Sequence, residues 1–341
     1  MRLAPQGIQF HVTTLRRCFV CAADMLNPSE RHLTFPDGRR RAFALACGSC
    51  GVLLDRHADA SHCRVHLTEA LAGAVFVPDS QAPYGLDLYT LRIAATRLGR
   101  GLRPLDAGGR GALLHPHAEY AARAELYDLD RAETRPVSLG LLCRPSECDG
   151  VLASLSAQAG WTDDVAILLD GETAPPRAVA VPGFARGAVR VAARPLSDDF
   201  AAQRNALQRL ARNPWMLQLD ADESLAFATG GLLPALAGMA EAGAVRSIGL
   251  ARRNRVDGIL ADVFPDVQYR LNRRDVAYAG RVHERPLLAG GWPESFITLH
   301  GAIEHHLSRA HVEARSRRYE SMDPGRGRLE EAQALLSPYR D

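Results

Sequence analysis

The chain has 341 residues, 47% of them hydrophobic, and carries 41 basic against 39 acidic side chains for a formal net charge of +2. That length suits two domains better than one or three, and the composition is that of a globular protein rather than a disordered one. So even a charge balance gives no reason to expect nucleic acid or an anionic membrane as the main partner.

The opening stretch, MRLAPQGIQFHVTTLRRC, has no apolar core long enough for a signal peptide, and no run of eighteen apolar residues occurs. The expectation is a cytoplasmic chain without a transmembrane segment. Its seven cysteines should stay reduced there, and are read as metal ligands or buried thiols before disulfides.

Residues 1–66 hold five of the cysteines. Cys18-Phe-Val-Cys21 and Cys47-Gly-Ser-Cys50 are two C-x2-C pairs. Each pair can grip one side of a tetrahedral ion, and four thiolates close a structural Zn²⁺ site. Between them a Pro-Asp-Gly turn joins two β-prone runs, a hairpin signal, so the whole looks like a zinc ribbon. Reduced structural thiols or a redox pair are the alternatives. His57, His62, Cys63 and His66 follow, as a second site or a surface scatter.

Over 67–135, Pro83–Leu98 and His117–Leu126 have apolar residues near helical spacing, and Gly99–Gly111 reads as a Gly- and Arg-rich linker. From Pro136 the texture changes. Val137–Cys143 and Asp164–Leu169 are apolar strand candidates, with Ser146–Ala159 helical between them. Val179–Val181 and Ala188–Val191 are short β-prone pieces, and Phe200–Ala211 is an amphipathic helix. Trp215–Leu219 is a further apolar strand running into Asp220, and Leu232–Ala242 is helical. Alternation of this kind implies a mostly parallel sheet covered on both faces, with ligands beyond the carboxyl ends of the strands, where Asp170 and Asp220 fall. Cys143 is expected to be buried in its strand, and Cys148 to start a helix.

Asp220 and Asp222 stand two residues apart at a strand end, so both carboxylates can point the same way and repel unless a cation lies between them. A hard divalent ion bridging to a diphosphate is one solution, because Mg²⁺ and Mn²⁺ take oxygen ligands and keep positions open for phosphate. A solvated acidic turn with Asp222 or Ser224 as helix N-cap is the other.

Three blocks then resemble family 2 glycosyltransferases of the GT-A fold, in the branch related to lipopolysaccharide-core β-glucosyltransferases. Phe200-Ala-Ala-Gln-Arg-Asn-Ala-Leu207 with Trp215-Met-Leu-Gln-Leu-Asp-Ala-Asp-Glu-Ser-Leu225 is similar to that branch's "ARN-x-AL" helix and "W-x-L-x-L-D-A-D-E" strand end. Asp266-Val-Gln-Tyr-Arg-Leu-Asn-Arg-Arg274 with Tyr278-Ala-Gly-Arg-Val-His-Glu284 is similar to its "R-L-F-R" and "G-x-V-H-E" segments. Ile303-Glu-His-His306 leading to Arg317-Arg-Tyr319 is similar to its "I-x-H" and basic helix ending in "R-Y". The resemblance runs from about Pro136 to about Tyr319 and does not extend into 1–130. It departs at Cys143-Arg-Pro-Ser-Glu147, where the family has "N-E-E" and only Glu147 corresponds. It departs again after Asp170, where Gly-Glu-Thr-Ala-Pro-Pro176 replaces the nucleoside loop. Neither the base nor the sugar follows from that loop, and a silent member of the family is admitted.

The resemblance implies a glycosyltransferase moving a sugar from a nucleotide-sugar donor to a glycan, lipid or protein acceptor, with inversion and with Mn²⁺ or Mg²⁺. Asp222 would hold the metal, with His305 or His306 as a further ligand. Asp220, Asp170, Arg204, Asn205 and His283 would serve the donor or orient the site. Glu284 would be the base that takes the acceptor proton, with Glu223 as runner-up. The expected architecture is α/β: a zinc-ribbon-like β module over 1–66, a helical or linker segment over 67–135, a Rossmann-like GT-A domain over 136–320 and a tail over 321–341. A catalytically silent scaffold with a zinc ribbon is the second class. A nucleotidyltransferase is the third, opposed by the Arg204-Asn205 and His283-Glu284 blocks.

Overall fold

The computed structural model describes residues 17–115, 117–327 and 329–340, with backbone alone at 329 and 330. The first sixteen residues of the expected N-terminal module, and Asp341 of the tail, lie outside the described residues. No described helix is long and apolar enough to cross a membrane.

The N-terminal third is built from short pieces. Strands β1 (Leu26–Pro28), β4 (Leu45–Cys47), β5 (Leu53–Leu54) and β7 (Tyr84–Gly85) form an antiparallel sheet in the order β1-β4-β5-β7. Between the first two, β2 (His32–Thr34) and β3 (Arg40–Ala42) pair as a hairpin on the Pro-Asp-Gly turn, where Gly38 takes φ +80°. Helix α1 (Ala60–Ala72) leads to β6 (Val75–Phe76). Helix α2 (Leu88–Thr96) is capped by Asp87, which accepts from Thr90 N, and all nine of its residues are buried. Strand β8 (Arg100–Pro104), helix α3 (Ala107–Leu113) and strand β9 (Ala124–Asp128) follow, with a three-stranded sheet in the order β6-β9-β8.

Two expectations fail here. The stretch His117–Leu126 is not a helix. Thr34 N donates to Glu119 O and Ala121 N to Thr34 O, at 3.0 Å each, so the hairpin takes the backbone groups a helix would have used. Gly99–Gly111 is not a linker either: pairing with β9 makes β8 of its first part, and the Asp106 carboxylate accepting from Gly109 N at 2.6 Å starts α3.

The remaining two thirds share one ten-stranded mixed sheet. Its parallel half is β10 (Val137–Cys143), β11 (Val165–Asp170), β13 (Val189–Arg194) and β14 (Trp215–Asp220), in the order β13-β11-β10-β14. Helix α4 (Cys148–Ser154) crosses between β10 and β11, β12 (Ala174–Val179) adds an antiparallel edge to β13, and α5 (Phe200–Gln208) crosses to β14. Strand β15 (Glu223–Leu225) and helix α6 (Phe227–Ala242) come next. They show that neither Asp222 nor Ser224 is a helix N-cap, because α6 starts after Ala226 with no side-chain cap, and the acidic turn over Ala221 and Asp222 leads into a strand instead.

The sheet is less parallel than expected. Beyond β14 lie β18 (Asp266–Arg273), β16 (Ser247–Val256) and β21 (Ser295–Leu307), then β15, with β17 (Ile259–Leu260) paired to β16. The β16–β21 pair is parallel, but β18 runs antiparallel to both β14 and β16. The link from β16 through β17 to β18 is too short for a crossover, so the chain must double back. Strands β19 (Tyr278–Ala279) and β20 (Arg285–Pro286) form a small ribbon, and helices α7 (Arg309–Met322) and α8 (Leu329–Leu335) end the described chain. The registers Leu142↔Asp220, Cys143↔Leu169 and Asp170↔Arg194 bring the carboxyl ends of the four parallel strands to one edge.

Helix α6 lies against the segment entering β10, and Gly238 permits that approach. A Cβ there would meet Glu133 O at 2.0 Å, with Arg135 N bonded to Pro234 O one turn away. Gly238→Ala must push helix and backbone apart, and should cost about 1–3 kcal/mol. A lower urea midpoint with an unchanged m-value is the expected reading; an unaltered midpoint would mean the helix yields freely.

Candidate active site

A cavity of about 420 Å³ opens at the carboxyl ends of the parallel strands, and α7 and α8 wall its far side. Asp170, Arg204, Asp220, Asp222, His283, Glu284 and His305 all line it. Asn205, Glu223 and His306, also singled out by sequence, are absent from its lining.

Each of those three has another place. Asn205 clips the backbone of Tyr278, donating Nδ2 to its carbonyl at 2.9 Å and accepting its N–H at 2.7 Å. Glu223, with a fully buried side chain, accepts Asp220 N at 3.1 Å on Oε2 and Arg252 at 2.9 Å on Oε1. His306 is exposed while His305 is buried, because neighbouring residues on a strand face opposite ways.

The two carboxylates of the Asp-X-Asp pair face different partners. Arg204, fully buried on α5, grips both oxygens of Asp220 at 2.9 Å through Nη2 and donates through Nε to Glu284 Oε1. Arg270 on β18 reaches Asp220 at 3.3 Å and the same Glu284 Oε1 at 3.9 Å. Among the described residues the one hydrogen bond of the Glu284 carboxylate is the one to Oε1. Asp222 turns instead to β21: its carbonyl accepts His306 N at 2.9 Å and its Oδ2 lies 3.2 Å from His305 Nε2.

The electrostatics follow that division. Burial raises the Asp220 carboxyl above the ordinary aspartate range, Arg204 pulls it back, and the neighbouring Glu223, Asp222 and Glu284 add to the rise. Burial works on Asp222 in the same sense, but the hydrogen bond and charge of His305, with His311, hold it at about 2. Asp266 is also held at about 2: Arg252 and the hydrogen bonds of Asn254 and Gln268 outweigh its burial. Burial opposes the charges of Arg204 and Arg252, yet the carboxylates they face raise both above the usual guanidinium range.

Sequence reasoning gave no role to Arg252, Asn254, Asp266 or Arg270, nor to His311, Arg315 and Tyr319. Two signals were present. Asp266, Gln268 and Arg270 are polar at alternate positions of an interior strand, and His311, Arg315 and Tyr319 recur every fourth residue of α7, all lining the cavity. The Tyr319 ring meets His283 edge-on, with centroids 5.4 Å apart, and burial pushes its hydroxyl up to about 12. Arg144 and Glu147 lie at the cavity rim, the Glu147 carboxylate accepting Arg144 N at 2.8 Å.

A second cluster lies in the N-terminal sheet. The sulfurs of Cys18, Cys21, Cys47 and Cys50 all fall within 4.8 Å of one another, with 3.6 Å between Cys18 and Cys50 and between Cys21 and Cys47. All four are buried and none is in a disulfide. A tetrahedral ion with bonds of about 2.3 Å to sulfur sets its ligands about 3.8 Å apart, so the donor set fits such an ion. The two turns that present them match. Cys18 N bonds Ala23 O and Ala22 N bonds Cys18 O; Cys47 N bonds Val52 O and Gly51 N bonds Cys47 O. Ala22 and Gly51 take φ +64° and +88° at the equivalent turn position.

No family model and no curated protein matches this chain. Among solved structures it is similar to S. aureus TarS. The form comprising residues 1–349, in complex with UDP, shares 14% identity over 58% of this chain and 68% of that one, at a TM-score of 0.33. A longer S. aureus TarS shares 12% identity over 58% of this chain and 42% of its own length, at a TM-score of 0.32. The function of this chain is therefore argued from its own residues.

Asp222 and Asp266 sit below the ordinary value of 3.8 in the folded protein. Depressed carboxylates contribute stability that is complete above about pH 4 and lost as pH falls toward about 2. Urea titrations across that window should show a shallower loss in Asp266→Asn than in wild type. Parallel curves would mean that Asp266 gains nothing from Arg252.

Proposed function

We propose that residues 136–320 form a GT-A glycosyltransferase domain that transfers a sugar from a nucleotide-sugar to an acceptor hydroxyl, with inversion and with Mn²⁺ or Mg²⁺. The observation that carries the reading is the division of one cavity between Asp222 with His305 and Glu284, whose Oε2 makes no hydrogen bond among the described residues. The Asp222–His305 separation of 3.2 Å fits adjacent ligands of an octahedral ion, whose bonds of about 2.1 Å set neighbours about 3 Å apart. A metal bound there supplies charge against the donor diphosphate and its departure.

The chain's own groups supply the rest. Arg204 and Arg270 hold Glu284 by Oε1, which leaves Oε2 to take the proton of the acceptor hydroxyl. The acceptor oxygen then bonds to the anomeric carbon from the face opposite the diphosphate, which leaves with the electrons of the broken C–O bond. Glu223 fixes the turn that carries Asp222 rather than acting as base, because both its oxygens are engaged in a site closed to solvent. The four-thiol cluster, in this reading, holds structural Zn²⁺ and ties together the two turns beside the module's own buried core of Leu33, Phe35, Phe43 and Leu53.

Three experiments test these parts. A thermal-shift series of nucleoside diphosphates should give stabilisation by one of them that needs Mn²⁺ and vanishes in Asp222→Ala; a metal-independent shift would defeat the metal assignment. Glu284→Gln should lower kcat by about 10²–10⁴-fold with nucleotide affinity nearly intact, and loss of both together would make Glu284 a donor-site residue. Elemental analysis should find one zinc per chain, lost in Cys47→Ser with a lower melting temperature. A folded protein free of zinc would leave the cysteines as buried thiols only.

A further inference from the structure

The face of the sheet beneath Asp222 carries a row of polar side chains that ends at His305. Asp266 stands on β18, Arg252 and Asn254 on β16, and His305 on β21. The registers Arg252↔Asp266 and Asn254↔His305 set them side by side. Asn254 and His305 are buried. Their hydrogen bonds have a fixed direction, which can be followed from one end.

Asp266 accepts Arg252 Nε at 3.0 Å and Nη2 at 2.6 Å, Gln268 Nε2 at 2.6 Å and Asn254 Nδ2 at 3.0 Å. A carboxylate held by an arginine can only accept, so Asn254 must turn its amide nitrogen toward Asp266. Its Oδ1 then faces His305 Nδ1 at 2.7 Å, and an amide oxygen can only accept. The proton between them therefore belongs to Nδ1. In the neutral ring Nε2 is then a lone pair, aimed at Asp222 Oδ2 from 3.2 Å. Two acceptors facing each other at that distance need a cation between them, and either a second ring proton on Nε2 or a metal ion can supply it. Had the amide been reversed, its NH₂ would have taken the Nδ1 lone pair and sent the proton to Nε2, which would block that position.

We infer that Asn254, oriented by Asp266 and Arg252, is the positioning residue that keeps the His305 proton on Nδ1 and presents Nε2 with Asp222 as a divalent-metal site. The inference rests on the metal-binding part of the proposed function. Outer partners of this kind fix the tautomer and orientation of a ligating histidine, and their loss lowers metal affinity about 10–100-fold.

The test begins with metal-free wild-type protein. Two-bond ¹H–¹⁵N correlation spectra, recorded where the ring is neutral, should show His305 protonated on Nδ1 with Nε2 as the bare nitrogen. The opposite tautomer overturns the inference. Mn²⁺ affinity is then measured without nucleotide, by the electron paramagnetic resonance of free Mn²⁺. It should fall about 10–100-fold in Asn254→Leu, and fall also in Asp266→Asn, which frees the amide to reverse. The double variant Asn254→Asp with Asp266→Asn restores a donor beside an acceptor in swapped positions, and should recover most of the affinity. If Asn254→Leu does not fold, Asp266→Asn and the double variant carry the test. Mn²⁺ binding unchanged in the folded single variants overturns the inference and leaves the metal reading standing. Wild-type protein that binds no Mn²⁺ overturns both.

Discussion

The structure around the cavity depends on arginines placed between carboxylates. Arg204 lies between Asp220 and Glu284, Arg252 between Glu223 and Asp266, and Arg270 reaches the first two from the side. Taking such charges out of water costs several kcal/mol per ion, so these pairs contribute little net stability. What they contribute is position. The groups come from α5, β14, β15, β16, β18 and the loop ending at Glu284, and none can shift without leaving a buried charge unpaired. The turn Asp220–Glu223 is fixed from both sides, by Arg204 at its start and by Arg252 at its end.

The α/β alternation was legible in the sequence because its strands are short apolar runs with an acidic residue at the end. Val165–Asp170 and Trp215–Asp220 are such strands, and α5 begins at Phe200 as its amphipathic pattern implied. The antiparallel half was not legible. Strands β16 and β18 are rich in Arg, Asn and Gln, whose partners are carboxylates brought by other parts of the chain, Glu304 for Arg253 and Arg255 and Asp220 with Glu284 for Arg270, and no pattern in a single strand reveals that pairing. The same reason hid Asn254. Between 67 and 135 the misreadings had another cause: His117–Leu126 has helical spacing, but a hairpin eighty residues earlier takes its hydrogen bonds. His305 was separable from His306 only once β21 was known to be a strand.

The cysteine cluster and the cavity lie in different parts of the chain, and α2 joins them. Its Thr90 hydroxyl donates to Cys50 O at 3.0 Å, and Arg97, just after it, donates to the carbonyls of Phe19 and Val20. On its other side the Tyr89 hydroxyl donates to Ser295 O at 2.6 Å, and Leu299 N donates to the Thr96 hydroxyl at 2.8 Å. Ser295 and Leu299 belong to β21, the strand that carries His305. Arg17 makes a second link. It donates to Ala22 O beside the first cysteine pair, to Asp262 and Phe264 O before β18, and to Arg340 O. The module is thus part of the frame that holds β21 and β18, rather than an appendage on a flexible tether.

The two aspartates of the Asp-X-Asp pair line one cavity but have different partners. Asp220 is satisfied by two guanidinium groups from the protein. Among the described residues Asp222 makes no ion pair with an arginine; its neighbour within bonding distance is the imidazole of His305, a group that suits a divalent metal as well as it suits a carboxylate. Burial and crowding move the first carboxyl up, and the histidines move the second down to about 2. Two acids separated by a single residue are driven apart in this way, and such separation of paired groups is how one site assigns them different work. Of the pair, only Asp222 keeps a negative charge uncommitted to an arginine, and it is the one turned toward β21 and His305.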